Sequence, residues 1–200
     1  METAIILIAF VVVAAVFAYT TLSAGLFSTQ KSQEAVYSGL KEAQSTLELK
    51  GNVIATANTS GTNGRVQQVS FIVANVLGGE AVDFTAPTAP GTATGVAASG
   101  SSNKVVINYV DKSQTVNDLY WTVSKLGGSD GDDLLENNEK FKITIGGGTA
   151  GTAPGNLIDA LTTDLNINTE FSLVVQTPIG AVLEIERTIP AYMDTIMNLR

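Results

Sequence analysis

Residues 4–19 read AIILIAFVVVAAVFAY, and Thr20, Thr21 and Ser23 carry this apolar stretch on to Phe27 without charge. No charged side chain occurs between Glu2 and Lys31. At ~1.5 Å per residue, a helix of this length spans the ~30 Å apolar layer of a bilayer. The pattern then turns amphipathic. Val36, Leu40, Ala43 and Leu47 recur at steps of four, three and four, which predicts one apolar face on a helix running to Lys50. Lys31, Glu34, Lys41, Glu42, Glu48 and Lys50 occupy the other faces. Gly51 suits a helix end, and Lys50 suits the negative end of the helix dipole. The prediction is a single helix over residues 1–51, roughly 75 Å long.

From residue 52 the period becomes two. Phe141, Ile143 and Ile145 alternate with Lys140, Lys142 and Thr144, and Leu183 and Ile185 alternate with Glu184 and Glu186, as in strands with one wet face. Further strands are predicted over 66–77, 105–110, 119–124 and 171–176, separated by Gly, Asn, Asp and Ser clusters. Many short strands joined by turns describe an antiparallel sandwich or barrel. The fold class is therefore α+β, with a long N-terminal helix and then an antiparallel β domain over 52–200. About 150 residues suffice to bury a core without staples.

Charged residues make up only 15% of the chain, against about 25% in a soluble domain. That deficit sits in the first thirty positions. Net charge is −8, and from Gly51 onward fifteen acidic residues face eight basic ones without a basic cluster, which argues against nucleic-acid binding. Cysteine and histidine are both absent. Disulfides, thiolate sites, the usual zinc ligands and the commonest general base are thereby excluded, and an enzyme would have to work through carboxylates, Lys, Tyr or Ser. No cofactor and no small-molecule substrate is implied.

Three readings compete for the apolar segment. A cleaved secretory signal would need a basic flank and a shorter run, yet position 2 is Glu. A permanent anchor would carry Lys or Arg flanks and would not need to continue as a patterned helix. The third reading is a pilin-type helix that leaves the membrane to join a polymer of copies. An all-round apolar helix must be buried, and two dozen apolar side chains at ~1.5–3 kcal/mol each give tens of kcal/mol for assembly. The side chains assigned to that assembly are Ile5, Ile6, Leu7, Ile8, Phe10, Val11, Val12, Val13, Val16 and Phe17, followed by Val36, Leu40 and Leu47. Ala14, Ala15, Ala18, Ala24 and Gly25 permit close helix approach in any of these settings. Gly25 and the Thr20-Thr21 pair also allow a local bend.

The stretch from Ile5 to Ile54, with FSTQKSQEA and LELKGNVI at its junction, resembles the archaeal flagellins, or archaellins, which share their helix with type IV pilins. The segments DLLENNEKFKITI and FSLVVQTPIGAVLEIERTIPAYM extend the resemblance towards the C-terminus. The resemblance implies an immunoglobulin-like sandwich and a homo-oligomeric, extracellular swimming filament of identical or paralogous subunits. It also implies residence in the membrane before assembly and removal of a prepilin-type leader, with Met1 as the first residue of the mature chain. Rival readings are an adhesive archaeal type IV pilus subunit, a membrane-anchored extracellular binding module, and an enzyme using Glu184 and Glu186.

Smaller features remain. Asn58-Thr59-Ser60 is a glycosylation sequon in a polar stretch, and archaellins are commonly glycosylated. Residues 85–102, rich in Pro, Thr, Gly and Ser, predict an exposed loop, either a variable connection or an O-glycosylated or partner-contacting one. Asp130, Asp132 and Asp133 surround Gly131 and are candidates for a hard-cation loop; solvated hairpin turns commonly look the same. Gly146-Gly147-Gly148 lacks the Lys-Ser/Thr of a phosphate loop and reads as a flexible turn. Tyr120 and Trp121 are expected in the sandwich core or at a subunit contact.

Overall fold

The computed structural model describes residues 1–44, 46–76 and 79–199, with residues 41–44 described by their backbone only. The chain falls into two compact units, Met1–Leu40 and Lys41–Arg200. The first is carried by α1, Glu2–Gln44, an unbroken helix of 43 residues and so ~65 Å. Its hydroxyls need not break it. Thr20 and Thr21 donate to the Phe17 carbonyl at 2.9 and 2.5 Å, and Thr29 donates to Gly25 O at 2.8 Å. Lys31 pairs with Glu34 at 2.6 Å, fully in the open, where such a pair adds a few tenths of a kcal/mol.

The helix ends at Gln44, six residues before Lys50, to which the helical stripe is predicted to run. Leu47–Leu49 is instead strand β1, paired antiparallel with Val66–Asn75 (β3) through Leu47↔Asn75 and Leu49↔Val73. Leu47 is only 4% exposed. The same residues satisfy both periods, since Leu47, Glu48 and Leu49 alternate as a strand as well as they continue a helical stripe. A ready sheet edge and a closed core decide for the strand. Gly51 (φ +83) then turns the chain between β1 and β2, Val53–Ala57, rather than capping a helix. Lys50 donates to Ile72 O and pairs with Glu48 at 2.7 Å. The predicted side chains of Lys41, Glu42 and Ala43, and the predicted strand end at Leu77, lie outside the described residues.

The remaining elements are β4 (Val82–Asp83), β5 (Val106–Asp111), β6 (Thr115–Val116), β7 (Trp121–Leu126), β8 (Leu134–Leu135), β9 (Lys140–Ile145), α2 (Leu157–Ala160), β10 (Glu170–Gln176), β11 (Leu183–Thr188) and β12 (Ile196–Leu199). One sheet has the order β12-β2-β3-β9-β7, with β1 sharing the β2 edge of β3; a second has β11-β10-β5-β6; β4 and β8 form a small ribbon. Every pairing is antiparallel. The inner faces of the two larger sheets share one core. Phe71, Phe141, Ile143 and Trp121 come from the first sheet, and Ile107, Tyr109, Phe171 and Leu173 from the second. Phe84 meets Trp121 and Phe141 edge-on at 6.0 Å, and Tyr109 stacks on Phe171 at the same separation. The antiparallel sandwich thus follows from period-two apolar positions on both sheets. Trp121 is entirely buried and Tyr120 partly so.

Two predicted loops are better held than their composition implies. In 85–102, Gly95 is buried; it donates to Pro154 O at 3.0 Å and accepts from Tyr120 N–H at 2.9 Å, while Ala97 donates to Asp118 O at 2.8 Å. Within the glycine triplet, Gly146 and Gly147 are likewise held, while Gly148 is exposed with open space around it. Gly146 donates to Tyr120 O at 2.9 Å, Gly147 donates to Gly155 O at 2.6 Å, and Gln68 Nε2 donates to Gly147 O. Glycine serves here to let three backbones converge, because a Cβ on Gly147 would come within 2.5 Å of Gly155 O and Pro154 Cγ. The short α2 and β12 are absent from the sequence reading, although Asn156 and Asp159 have capping-box spacing and do form that box.

The shifted boundary has a measurable outcome. A chain beginning at residue 46 is expected to fold as a soluble β domain, whereas one beginning at residue 52 loses β1 and the burial of Leu47. That loss costs about 2 kcal/mol, or roughly 4–8 °C in Tm. Equal melting temperatures for the two truncations would refute the assignment.

Candidate assembly helix and the surface of the β domain

Every side chain from Met1 to Leu40 is exposed in the lone chain. Ile5, Ile6, Leu7, Ile8, Phe10, Val11, Val12, Val13, Val16 and Phe17 are between 56% and 76% exposed, and Val36 and Leu40 are 68% and 51% exposed. All twelve of these predicted assembly residues therefore lie open on α1. Leu47, the thirteenth, does not, because it fills the core of the β domain from β1. Tyr19, Leu22, Leu26, Phe27 and Tyr37 are exposed on α1 too and were not among those predicted. The absence of charge up to Lys31 was the signal that could have included most of them. The apolar positions surround the axis of the first half, so no orientation of this helix is comfortable in water. Its Glu2–Leu40 stretch is long and apolar enough to cross a membrane, by length and composition.

On the β domain, the predicted sites separate. Asn58 is exposed at the start of the β2–β3 connection; its Oδ1 accepts from Arg65 N–H at 2.9 Å, and its backbone N–H donates to Arg65 O at 2.9 Å. The three aspartates do not converge. Asp130 and Asp132 accept from backbone N–H groups of their own turn, and Asp133 pairs with Lys125 at 2.9 Å. Among the described residues no group of three or more acidic side chains is placed to hold a metal ion. Asp130 and Asp132 are thus turn-forming carboxylates, and Asp133 is an ion-pair partner.

Glu184 and Glu186 share the wet face of β11. Ser172 Oγ donates to Glu184 at 2.9 Å. A hydrogen bond with Glu170, then that carboxylate's charge, raises Glu186 above the ordinary carboxylate range. Asp111 behaves in the opposite way. Burial works to raise it, but hydrogen bonds from Ser113, Gln114 and Tyr109 outweigh that and hold it down to about 2. Its five donors lie at 2.6–3.1 Å. Gln114 continues the network, accepting from Thr162 and Thr163 N–H and donating to Thr163 O at 2.6 Å. A carboxyl held below its unfolded value of 3.8 stabilises the fold above that pH and loses this contribution as pH falls towards about 2. Asp111→Asn is thus expected to lower stability by about 1 kcal/mol at pH 7, after allowing for solvent screening. Below pH 2 the difference should vanish. Urea midpoints at pH 7, 4 and 2 test this, and a pH-independent difference would count against it.

The whole chain has informative likenesses. A family model described as archaeal-type flagellin matches residues 1–187. Probable flagellin 1 of Archaeoglobus fulgidus is 35% identical over 204 residues, covering 100% of this chain and 92% of that protein. Probable flagellin 2 of the same organism is 38% identical over 197 residues, covering 95% and 87%. Among solved structures, the chain is similar to that of the archaeal flagellum of Methanospirillum hungatei strain JF1, with a TM-score of 0.64, 29% identity, and coverage of 99% and 96%. A crystal structure of an archaeal flagellin from Methanocaldococcus jannaschii, at 12% identity and a TM-score of 0.55, covers 76% and 95% and shares the fold.

Proposed function

The chain belongs to the archaeal-type flagellin family, and from that premise we propose that it is a structural subunit of the archaellum, polymerising through α1 into a helical filament used for swimming. The observation that carries this reading is α1 itself, whose apolar side chains are exposed all round the axis in a lone chain. Copies of the same helix supply the missing cover. Burial of its ten aliphatic and aromatic side chains between Ile5 and Phe17 contributes on the order of 15–30 kcal/mol before the entropy of association is subtracted.

On this reading the helix resides in the membrane first and exchanges lipid for its neighbours' helices on assembly, and the β domain ends outside the cell. The subunit's role is mechanical and involves no catalysis. Interlocked helices transmit torque, and an acidic β domain keeps adjacent filaments apart. The carboxylates of Glu184 and Glu186 are taken up by Ser172 and Glu170 on a wet strand face, a setting that supports a solubilising role. Asn58 is a glycosylation site on this reading, since its exposed side chain uses Oδ1 within the turn and leaves Nδ2, the atom a glycan joins, without a hydrogen bond among the described residues.

Deleting this subunit should remove both swimming and the thin uniform fibres that negative-stain microscopy finds in sheared surface material. Fibres lost without loss of swimming would point to an adhesive pilus instead. Intact mass of the sheared wild-type subunit should exceed the sequence mass by a glycan that disappears in Asn58→Gln; identical masses would remove Asn58 from the reading.

A further inference from the structure

Between Glu2 and Lys31 the helix carries eight hydroxyl or amide side chains, at positions 3, 19, 20, 21, 23, 28, 29 and 30. They fall into two groups. Thr20, Thr21 and Thr29 spend their hydroxyls on carbonyls of their own helix, which is how such residues are made tolerable in an apolar setting. Tyr19, Ser23 and Gln30 do not, and their side chains make no hydrogen bond among the described residues. These three line one hollow of about 300 Å³ on α1, walled by Leu22, Leu26 and Phe27.

The hollow has a simple cause. Ser23 is small, and the residues three or four positions away from it, at 19, 26 and 27, are large. Positions i, i+3, i+4 and i+7 outline a hole on a helix surface. Residues 19, 22, 23 and 26 form one such hole and residues 23, 26, 27 and 30 form the next, with Ser23 and Leu26 common to both. At ~100° per residue, Tyr19, Ser23 and Gln30 fall within ~40° of arc, while the other two unbonded hydroxyls, Thr3 and Ser28, lie ~160–180° from Tyr19.

A buried hydroxyl or amide without a partner is costly, and hydrocarbon offers none. Once α1 is covered, these three groups need donors and acceptors from whatever covers them. We propose that this hollow is a socket for a side chain projecting from α1 of a neighbouring copy, and that Tyr19, Ser23 and Gln30 hydrogen-bond to that neighbour and set the axial register between copies. The inference rests on the filament reading and adds to it a place and a specificity. Plain apolar contact along residues 5–17 would tolerate sliding by a turn, whereas a lined socket would not.

The experiment uses the full chain under conditions in which the wild type polymerises. Ser23→Leu fills the socket and is expected to raise the critical concentration for assembly about ten-fold or more. Gln30→Leu keeps the bulk but removes the amide and should raise it by about three- to ten-fold. Ser28→Leu adds the same bulk on the far side and should stay within about two-fold. Helical content of the detergent-held chains should be the same in all three. Wild-type-like assembly of Ser23→Leu, or equal losses at Ser23 and Ser28, would overturn the socket. Wild-type fibres in the same preparation keep the filament reading separate, since only their absence would count against that.

Discussion

Val12→Asp is expected to abolish fibre formation while leaving the β domain folded. Val12 lies near the middle of a stretch with no charge from Glu2 to Lys31 and is 56% exposed in the lone chain. In a polymer its surroundings are other apolar helices. An aspartate at the centre of an apolar helix costs about 2.5–3.5 kcal/mol even on the mildest scale, where it still reaches water by local distortion. Since about 1.4 kcal/mol is ten-fold in an equilibrium constant, the loss per subunit is roughly a hundred-fold, and a close-packed fibre allows less relief than lipid. Pelletable polymer and negative-stain images give the readout. Trp121 is the chain's single tryptophan and sits fully buried in the sandwich, so its emission reports separately that the β domain is intact. Val12→Leu, which keeps the site apolar, should polymerise. Normal fibres from Val12→Asp would mean that this part of α1 is not the buried interface.

The second large effect lies inside the β domain. Gly95→Ala should destabilise it by about 3–5 kcal/mol, combining ~1–2 kcal/mol for an L-residue in the left-handed region with up to ~3 kcal/mol of overpacking. Gly95 has φ +64, and a Cβ there would run into the Asn156 carbonyl oxygen and approach Ala160 Cβ to 2.7 Å. Neither neighbour can yield easily. Asn156 O accepts from both Asp159 and Ala160 N–H, so moving it undoes the first turn of α2. The expected fall in Tm is roughly 6–20 °C, followed through Trp121 emission. Gly91→Ala in the same segment, with open space around it, should change little. A melting temperature for Gly95→Ala within a degree or two of wild type would show that residues 85–102 are as loosely held as their composition implies.

Much of the candidate site is legible along the chain because it depends on one element. An unbroken apolar run needs no partner to be recognised, and twelve of the thirteen residues predicted for assembly are exposed on α1. Strands over 66–75, 106–111, 121–126, 140–145, 170–176 and 183–188 follow from alternation that survives in the fold as an inner and an outer face. Asn58 and the acidic turn at 130–133 are visible as motifs. What surrounds them is not, and the aspartates turn out to serve their own loop and Lys125.

The misreadings share a cause. Leu47 fits a helical stripe and a strand equally well, and only the waiting edge of β3 with a core behind it selects the strand. Gly95 and Gly147 look like slack in a polar, glycine-rich context, yet they are where residues from distant parts of the chain meet too closely for a Cβ. The short strand β12 has its partner β2 some 140 positions earlier in the chain, and no local window contains both. Periodicity and charge by themselves determined that this protein has an exposed apolar helix and a sandwich of alternating strands, because those properties are summed over neighbouring residues. Where the helix stops, which loops are rigid and which carboxylates hold a turn were decided only by tertiary structure, because each depends on a contact between residues far apart in sequence.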